Sequence, residues 1–473
     1  MDVTGLVLRA IAGRPCVLVA TMPGGAAVRL AVERSLRLRD WPQTSTPAQS
    51  DLLLVVGPDC PNLHAAVGRL WRDLPAPRAR ADVRTVDEVE AVLDAGRARL
   101  GSPTAQREQA AMPVRAGGQR SGTQGEREHD EDAGEVSGHA RHDRHGGGEA
   151  GGGHREGGQA DDEGHGDAPS DGDRPTEADH GDSGHARDGG DTDDHDEHHG
   201  HGGHGGMEMP GGLPMAEQGE DRDGLTLDRL HVPLGPLLTD WPAGLTVRLM
   251  LQGDVVQQAD VDDPAPRTSG EVMEAFWVQP WVRASAGEPV PVGEAVRRRA
   301  AARLDSLGRL LAVAGWPAEA VSARRLRDDL LTGAPRSALA PRFERFDRRV
   351  GRSRTLAWLT RGIGVVTARD AHEAGVSGPT ARADGDVTDR YRQWLTEIRG
   401  DLPRLDEPSL LRVADEESPR GPWNAARPPS AGLITLLPRL LVGAEFASAR
   451  LIVAGLDPDP DELAVRAPEV ARE

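Results

Sequence analysis

The densest concentration of groups able to bind a metal is a histidine-rich tract in the middle of the chain. Thirteen of the 16 histidines fall between His129 and His204. The richest part reads Asp194-His195-Asp196-Glu197-His198-His199-Gly200-His201, followed by His204. Imidazoles beside carboxylates, with the thioethers of Met207 and Met209 nearby, suit nickel, zinc or copper. His195, His198, His199, His201 and His204 are therefore the candidate metal ligands, for weakly bound Ni, Zn or Cu. Their spacing is irregular and no coordination number follows from it. The competing reading is a solvated linker in which histidine is one more polar residue. Two cysteines, Cys16 and Cys60, make neither a disulfide framework nor a four-thiolate site.

A second group of charged residues, Arg382, Asp386, Asp389, Glu417 and Arg420, lies in or beside Gly- and Pro-rich turns. These side chains either line a face that binds a partner or polar ligand, or form buried ion pairs tying loops to helices. The second reading is favoured because buried charge is normally paired. His231 and His372 are isolated, which suits a core or surface role. Gly375-x-x-Gly378-Pro379 and Gly362-x-Gly364 lack the strand–glycine–helix context of a phosphate loop. No Ser/His/Asp or Cys/His constellation stands out.

The chain has 473 residues, room for two or three domains, and a formal net charge of −20. Between positions 121 and 210 there are 25 acidic residues and 6 arginines, a net of −19, so the remainder is close to neutral. There is no lysine and no basic tract, hence no electrostatic footprint for nucleic acid. The N-terminus lacks the pattern of a signal peptide, and no apolar run approaches the length of a membrane-spanning helix. These features, with two thiols free of a framework, lead to the expectation of a cytoplasmic protein that reaches a membrane only through partners.

The elements that would position these groups fall into three spans. Residues 1–100 read as a small α/β unit. Val17–Ala20 and Asp51–Val56 suit buried strands, and Leu63–Leu74 and Val86–Leu100 have helical apolar spacing. Residues 101–224 are dominated by Gly, Asp, Glu and His, a composition that cannot bury enough apolar surface to fold, and read as a disordered linker. From 225 to 473 a strand-rich start (Leu230–Pro236, Leu245–Leu251, Gly253–Val256) gives way to helices. These are expected at Val296–Gly315, Ala320–Leu331, Pro341–Ile363, Val387–Ile398 and Leu433–Ala447, with a last short strand at Leu451–Ala454. The fold class expected is multidomain: a small α/β N-terminal domain, a long disordered linker, and a mainly α (α+β) C-terminal domain.

Several segments of the C-terminal span occur in a telling order: Gly235-Pro236 with the hairpin Leu245–Val256, Arg303-Leu304-Asp305-Ser306-Leu307-Gly308, and Arg361–Val366. They continue with Gly375–Gly385 and Asp389-Arg390, Glu417-Ser418-Pro419-Arg420-Gly421, Arg427-Pro428-Pro429-Ser430 and Gly455-Leu456-Asp457. Together they resemble the subunit of complex I (NADH-quinone oxidoreductase) that lines the quinone site, a relative of the nickel–iron hydrogenase large subunit. The N-terminal unit, through Ser50–Pro58 and Leu74-Pro75-Ala76-Pro77, is similar to part of the small cluster-bearing subunit. The resemblance implies a hydrogenase-large-subunit-like C-terminal domain and a fusion of two neighbouring core subunits.

The departures from that pattern shape the functional expectation. The resemblance implies an adjacent cysteine pair after the first strand, where this chain reads Ala20-Thr21-Met22-Pro23-Gly24. It implies a quinone-facing histidine after Gly235-Pro236, where Leu237-Leu238-Thr239-Asp240-Trp241 stands. The C-terminal span has no cysteine for nickel and iron, and the single tyrosine, Tyr391, belongs to an amphipathic helix. Iron–sulfur and nickel–iron ligands being absent, no such cofactor is expected. The expected role is an accessory, assembly or scaffold component of an NADH-quinone oxidoreductase- or hydrogenase-like system, with protein partners from that assembly. The alternatives are a working quinone-oxidoreductase subunit that takes ligands from a partner, and a His-rich metal-binding protein.

Overall fold

The computed structural model describes residues 3–111, 217–220, 226–262, 275–424 and 426–465. The five candidate histidine ligands lie outside the described residues.

The N-terminal unit runs α1 (Val3–Gly13), β1 (Val17–Thr21), α2 (Ala26–Leu38), β2 (Leu52–Val56), α3 (His64–Asp73), β3 (Ala79–Val83), α4 (Val89–Leu100) and α5 (Pro103–Ala111). β1, β2 and β3 form a parallel sheet in that order, with Val17 opposite Leu52 and Leu52 opposite Ala79. Such a sheet is covered on both faces, which is why β2 reads Leu-Leu-Leu-Val-Val and is buried throughout. Val17, Val19, Leu52 and Leu54 pack against Val28, Val32 and Leu36 of α2 and Leu93 of α4. The other face, Leu18, Ala20, Leu53 and Val55, meets Ala66 and Val67 of α3 and also Leu237 from the distant C-terminal region.

An antiparallel meander follows, in the order β4 (Glu217–Glu220), β5 (Thr226–Leu234), β6 (Val247–Gln252) and β7 (Val255–Val261). The alternating burial of Val247, Leu249 and Leu251 marks a half-covered sheet. The remaining elements are α6 (Gln279–Ser285), α7 (Val292–Val313), α8 (Pro317–Leu331), α9 (Arg336–Gly351), α10 (Arg354–Thr360), α11 (Ala368–Ala374), α12 (Gly378–Ala383), α13 (Val387–Asp401), α14 (Pro429–Leu441) and α15 (Phe446–Leu456). Sixteen of the 22 residues of α7 are buried, so it is the central helix rather than a surface one. Leu304, Leu307, Leu310 and Leu311 join Leu326, Phe343, Tyr391 and Trp394 in the main core. Each large apolar side chain buried there stabilises the fold by roughly 1.5–3 kcal/mol. A second core packs the meander against α14 and α15. The α/β unit and the C-terminal region belong to one compact unit.

Four expectations need correction. Leu451–Ala454 is part of α15, not a strand: a four-residue apolar run has no period of its own, and Ala449, Ile452, Val453 and Leu456 complete a helical stripe. The helix expected over Pro341–Ile363 is two helices, because the Ser353 hydroxyl accepts the Leu356 N–H at 3.2 Å and starts α10 afresh. Within the span expected to be a structureless linker, α5 and β4 are formed. Most of the rest of that span lies outside the described residues. Missing from the expectations altogether were α1, α2, β3, α6, α11 and α12, and the helix expected over Leu433–Ala447 stops at Leu441, before α15.

Candidate functional site at the junction of sheet and bundle

The loop after β1 and the turn between β5 and β6 meet. These are the two places where the resemblance puts a cysteine pair and a quinone-facing histidine. A Cβ added to Gly244 would lie 2.6 Å from the Pro23 ring, and Leu237 packs in the same cluster as Met22. Asp240 takes positive φ in the turn, and the Trp241 ring N–H donates to the Leu245 carbonyl at 2.8 Å, closing it. A third segment, Asp457–Glu462, reaches the same place. The Asp461 carboxylate accepts the Gly24 N–H at 2.8 Å.

Helix α2 explains how the junction is held. Its Val28–Val32–Leu36 stripe faces the sheet, Leu30 enters the main core of the bundle, and Arg29, Glu33 and Arg37 form a charged row at i, i+4 spacing. Arg29 donates to Asp305 of α7 at 2.7 and 3.2 Å and to Glu33 at 2.7 Å. Asp305 also accepts from Arg327 of α8 at 2.5 Å and pairs with Arg309 at 3.2 Å. Glu33 stands 2.9 Å from the Arg327 guanidinium, and Arg37 pairs with Asp328. Arg324 pairs with Asp240 of the turn.

The network continues towards the C-terminal segment. Arg309 lies 2.8 Å from Asp457, whose other oxygen accepts from Arg420 at 2.7 Å and from the Ser306 hydroxyl at 2.5 Å. Arg420 also reaches Glu462 at 3.2 Å, and Glu462 accepts the Ser430 N–H and hydroxyl at 3.1 and 2.6 Å. The chain of charges thus runs unbroken from α2 to Glu462, with carboxylates and guanidiniums alternating. Such alternation is the condition for burying ions without leaving one unpaired.

The titration of these groups follows from their surroundings. Burial alone would raise the Glu33 and Asp305 carboxyls, but the guanidiniums around them outweigh it and hold both well below the usual carboxylate range. Asp240 is pushed up by burial, with Glu33 adding to the rise and Arg324 the largest opposing charge. Glu462 is pushed up to about 7, because burial and the neighbouring Asp459 outweigh Arg420 and Ser430.

Between the three segments lies a cavity of about 50 Å³ whose lining includes Thr21, Arg29, Asp240, Trp241, Trp277 and Asp461. That is room for a few water molecules. The two thiols are not near one another. Cys16 precedes β1 and Cys60 follows β2, so parallel five-residue strands put them at opposite ends of the sheet, about 16 Å apart along it. These residues do not fit a thiolate-held cluster. Among the described residues, no group of three or more His, Cys, Asp or Glu side chains is placed to hold a metal ion.

Of the charged residues singled out in the sequence, Asp386 and Arg420 are buried and tie loops to helices, Glu417 is half-buried, and Arg382 and Asp389 are exposed. Arg382 pairs with Glu397 at 2.6 Å and Glu417 at 2.9 Å. Asp386 caps α13 by accepting the Asp389 N–H at 3.1 Å and also accepts the Gly362 N–H at 2.6 Å. Arg420 is buried among three carboxylates. His231 and His372 are exposed, and Tyr391 is core. Sequence reasoning did not single out Arg29, Glu33, Arg327, Asp461 or Glu462. The signals were the Arg29–Glu33–Arg37 spacing and the Asp457-Pro-Asp-Pro-Asp-Glu run, both of which look like ordinary polar surface.

The Gly375–Gly385 motif supplies the backbone of this arrangement. Gly375 ends α11 with φ 67°, and Gly378 opens α12 with φ 71°. A Cβ on Gly378 would lie 2.6 Å from the Arg420 carbonyl oxygen and 2.6 Å from the Gly421 Cα. Only glycine lets these two loops approach so closely while aiming Arg420 inward.

A parallel α/β unit joined to a meander and helical bundle is thus the class of architecture observed. Half of the chain, 50%, aligns with 98% of a chain from the membrane-bound sulfane sulfur reductase, an archaeal respiratory membrane complex, at 16% identity and a TM-score of 0.38. No family model and no curated protein matches the chain. No helix among the described residues is long and apolar enough to cross a membrane.

Proposed function

We propose that the chain is a fusion of complex I- and hydrogenase-like core subunits whose catalytic ligands have been replaced. It acts as an accessory, assembly or scaffold component of an NADH-quinone oxidoreductase- or hydrogenase-like system. One observation carries this reading. The two loops at which the resemblance calls for cysteines and a histidine come together, and the groups they bring are Met22, Pro23, Thr239 and Asp240, sealed by Asp461. Protein side chains of these types do not accept or pass electrons at biological potentials, and an iron–sulfur cluster needs thiolates that the loop does not supply. A fold that keeps its junction while changing the groups inside it is a scaffold grafted with another role.

A working subunit completed by a partner's ligands is less well supported. Ligands entering there would meet the Arg29–Asp305 and Arg324–Asp240 pairs, and breaking either would leave buried charges unpaired. The experiment is isolation of the full chain, tagged, from its native host. Stoichiometric co-purification with subunits of a quinone- or hydrogenase-type respiratory assembly is the expected result. Isolation of the chain alone, or only with proteins of an unrelated system, would sink the reading.

A further inference from the structure

The outward side of α9 and α10 has a composition that the junction does not account for. Positions 345–361, just after the exposed Glu344, hold six arginines and one acidic residue, Asp347, a local basic stretch that the sequence expectation of no basic tract passed over. On α9, Arg345, Arg348, Arg349 and Arg352 recur at i, i+3, i+4 and i+7, opposite the buried Phe343, Phe346 and Val350. Arg354 and Trp358 of α10 and Arg361, the residue that caps its end, follow i, i+4 and i+7 spacing, while Leu356, Ala357 and Thr360 are buried. The two rows adjoin where Arg352 and Arg354 flank the joint between the helices.

Five of these six cations are not spoken for. Arg349 pairs with Glu319, and Asp347 is taken by Arg399. Arg345, Arg348, Arg352, Arg354 and Arg361 are exposed and have no ion-pair partner among the described residues. Trp358 is 79% exposed, beyond any other tryptophan described, and Val365, 45% exposed, follows it in the next loop. A bare indole between unpaired guanidiniums is a combination with a known physical use. Guanidinium forks match phosphate oxygens in bidentate pairs. Indole rings settle at the headgroup level of a bilayer, where one edge is apolar and the other wet.

We propose that this α9–α10 face is a peripheral membrane contact that takes the anionic headgroups of phospholipids, with Trp358 as its interfacial anchor. An acidic protein surface is the other attractor of arginine. The patch, however, lacks the apolar centre ringed by polar residues that a protein interface presents: its apolar members are one tryptophan and one valine among cations. The overall charge of −20 is no obstacle, because −19 of it lies between positions 121 and 210 and the remainder is close to neutral. The proposal is independent of whether the junction carries redox chemistry.

The test is co-sedimentation of the full chain with vesicles of phosphatidylcholine alone and of phosphatidylcholine with phosphatidylglycerol in about a 2:1 ratio. Binding to the anionic vesicles should exceed binding to the neutral ones by about tenfold or more at low salt. It should fall to the neutral level near about 0.5 M salt, where charges are screened within a few ångströms. Arg354→Glu with Arg361→Glu should abolish the preference, and Trp358→Ala should weaken binding to both vesicle types. Arg412→Glu, at an exposed site elsewhere, should leave binding unchanged. All the positions changed are exposed, so thermal midpoints should match wild type and exclude unfolding as the cause. Equal binding to both vesicle types, no binding to either, or anionic binding indifferent to the Arg354/Arg361 reversal would each overturn the proposal. So would retention on an acidic polypeptide such as polyglutamate without retention on vesicles, which would assign the face to a protein partner.

Discussion

The Arg29 guanidinium on α2 lays its two terminal nitrogens on the two carboxylate oxygens of Asp305 on α7, at 3.2 and 2.7 Å, across 276 residues of sequence. Both groups are taken out of water, and the pair joins the parallel sheet to the helical bundle. Asp305 also serves Arg327 and Arg309, so one carboxylate touches three guanidiniums.

Asp305→Ala should therefore be among the most destabilising single changes in the chain. It leaves Arg29, Arg309 and Arg327 to share Glu33, Asp328 and Asp457, one buried counter-charge short, and breaking a buried pair from one side costs about 3–5 kcal/mol. Urea unfolding would measure it as a lower midpoint. Replacing Arg29 and Asp305 together by Met and Leu should recover part of the loss, since an apolar pair of similar volume removes both charges. A loss under about 1 kcal/mol for Asp305→Ala would mean that the junction does not depend on this network.

Stability should fall on both sides of a mildly acidic optimum, for opposite reasons. Glu33 and Asp305 have depressed folded-state pKa values, so their contribution is present above the ordinary carboxylate range and is lost as pH falls through the folded values. Glu462 is raised from an ordinary 4.5 to about 7. Its contribution is full below the unfolded value and is lost as pH rises through the folded one, because an ionised Glu462 then sits beside Asp459. Thermal midpoints measured against pH should thus decline between about pH 5 and pH 8. Glu462→Gln should shrink that limb, with the raised Asp240 supplying what remains, and leave the acid limb in place. An unchanged slope above pH 5 would remove Glu462 as its source.

Gly378→Ala should destabilise by more than about 2 kcal/mol, combining left-handed backbone strain with a clash against the Arg420 carbonyl. Gly253 provides the comparison: it has φ 62° but open space where a Cβ would go. Gly253→Ala should cost only the backbone part, roughly 1–2 kcal/mol. Equal effects at the two positions would show that the loop approach at Gly378 is not tight.

Much of the fold was legible because periodicity and breakers were strong. The all-apolar β2, ended by Gly57-Pro58, and the Leu304–Leu307–Leu311 stripe of α7 could be read directly. α2 was not, because its Val28–Val32–Leu36 stripe is interleaved with Arg29, Glu33 and Arg37, which resemble a solvated face until a partner 276 residues away supplies Asp305. The site was legible at its loops and motif segments: Ala20–Gly24, Leu237–Trp241, the Gly375–Gly385 motif and the segments carrying Asp305, Arg420 and Asp457 pointed to the right places. That Asp461 would close the loop after β1 depends on the end of α15 being brought beside the first strand, a long-range contact with no local signature.

The measurement that goes most directly to the proposed function is iron, acid-labile sulfide and quinone turnover in the full chain purified without oxygen and incubated with iron and sulfide. The closed, self-paired junction predicts no stoichiometric iron or sulfide, and no quinone reduction above a protein-free control. A stoichiometric cluster with its spectroscopic signature, together with quinone reduction that is lost on changing Asp240 or Asp461, would contradict it and restore the junction as a redox site.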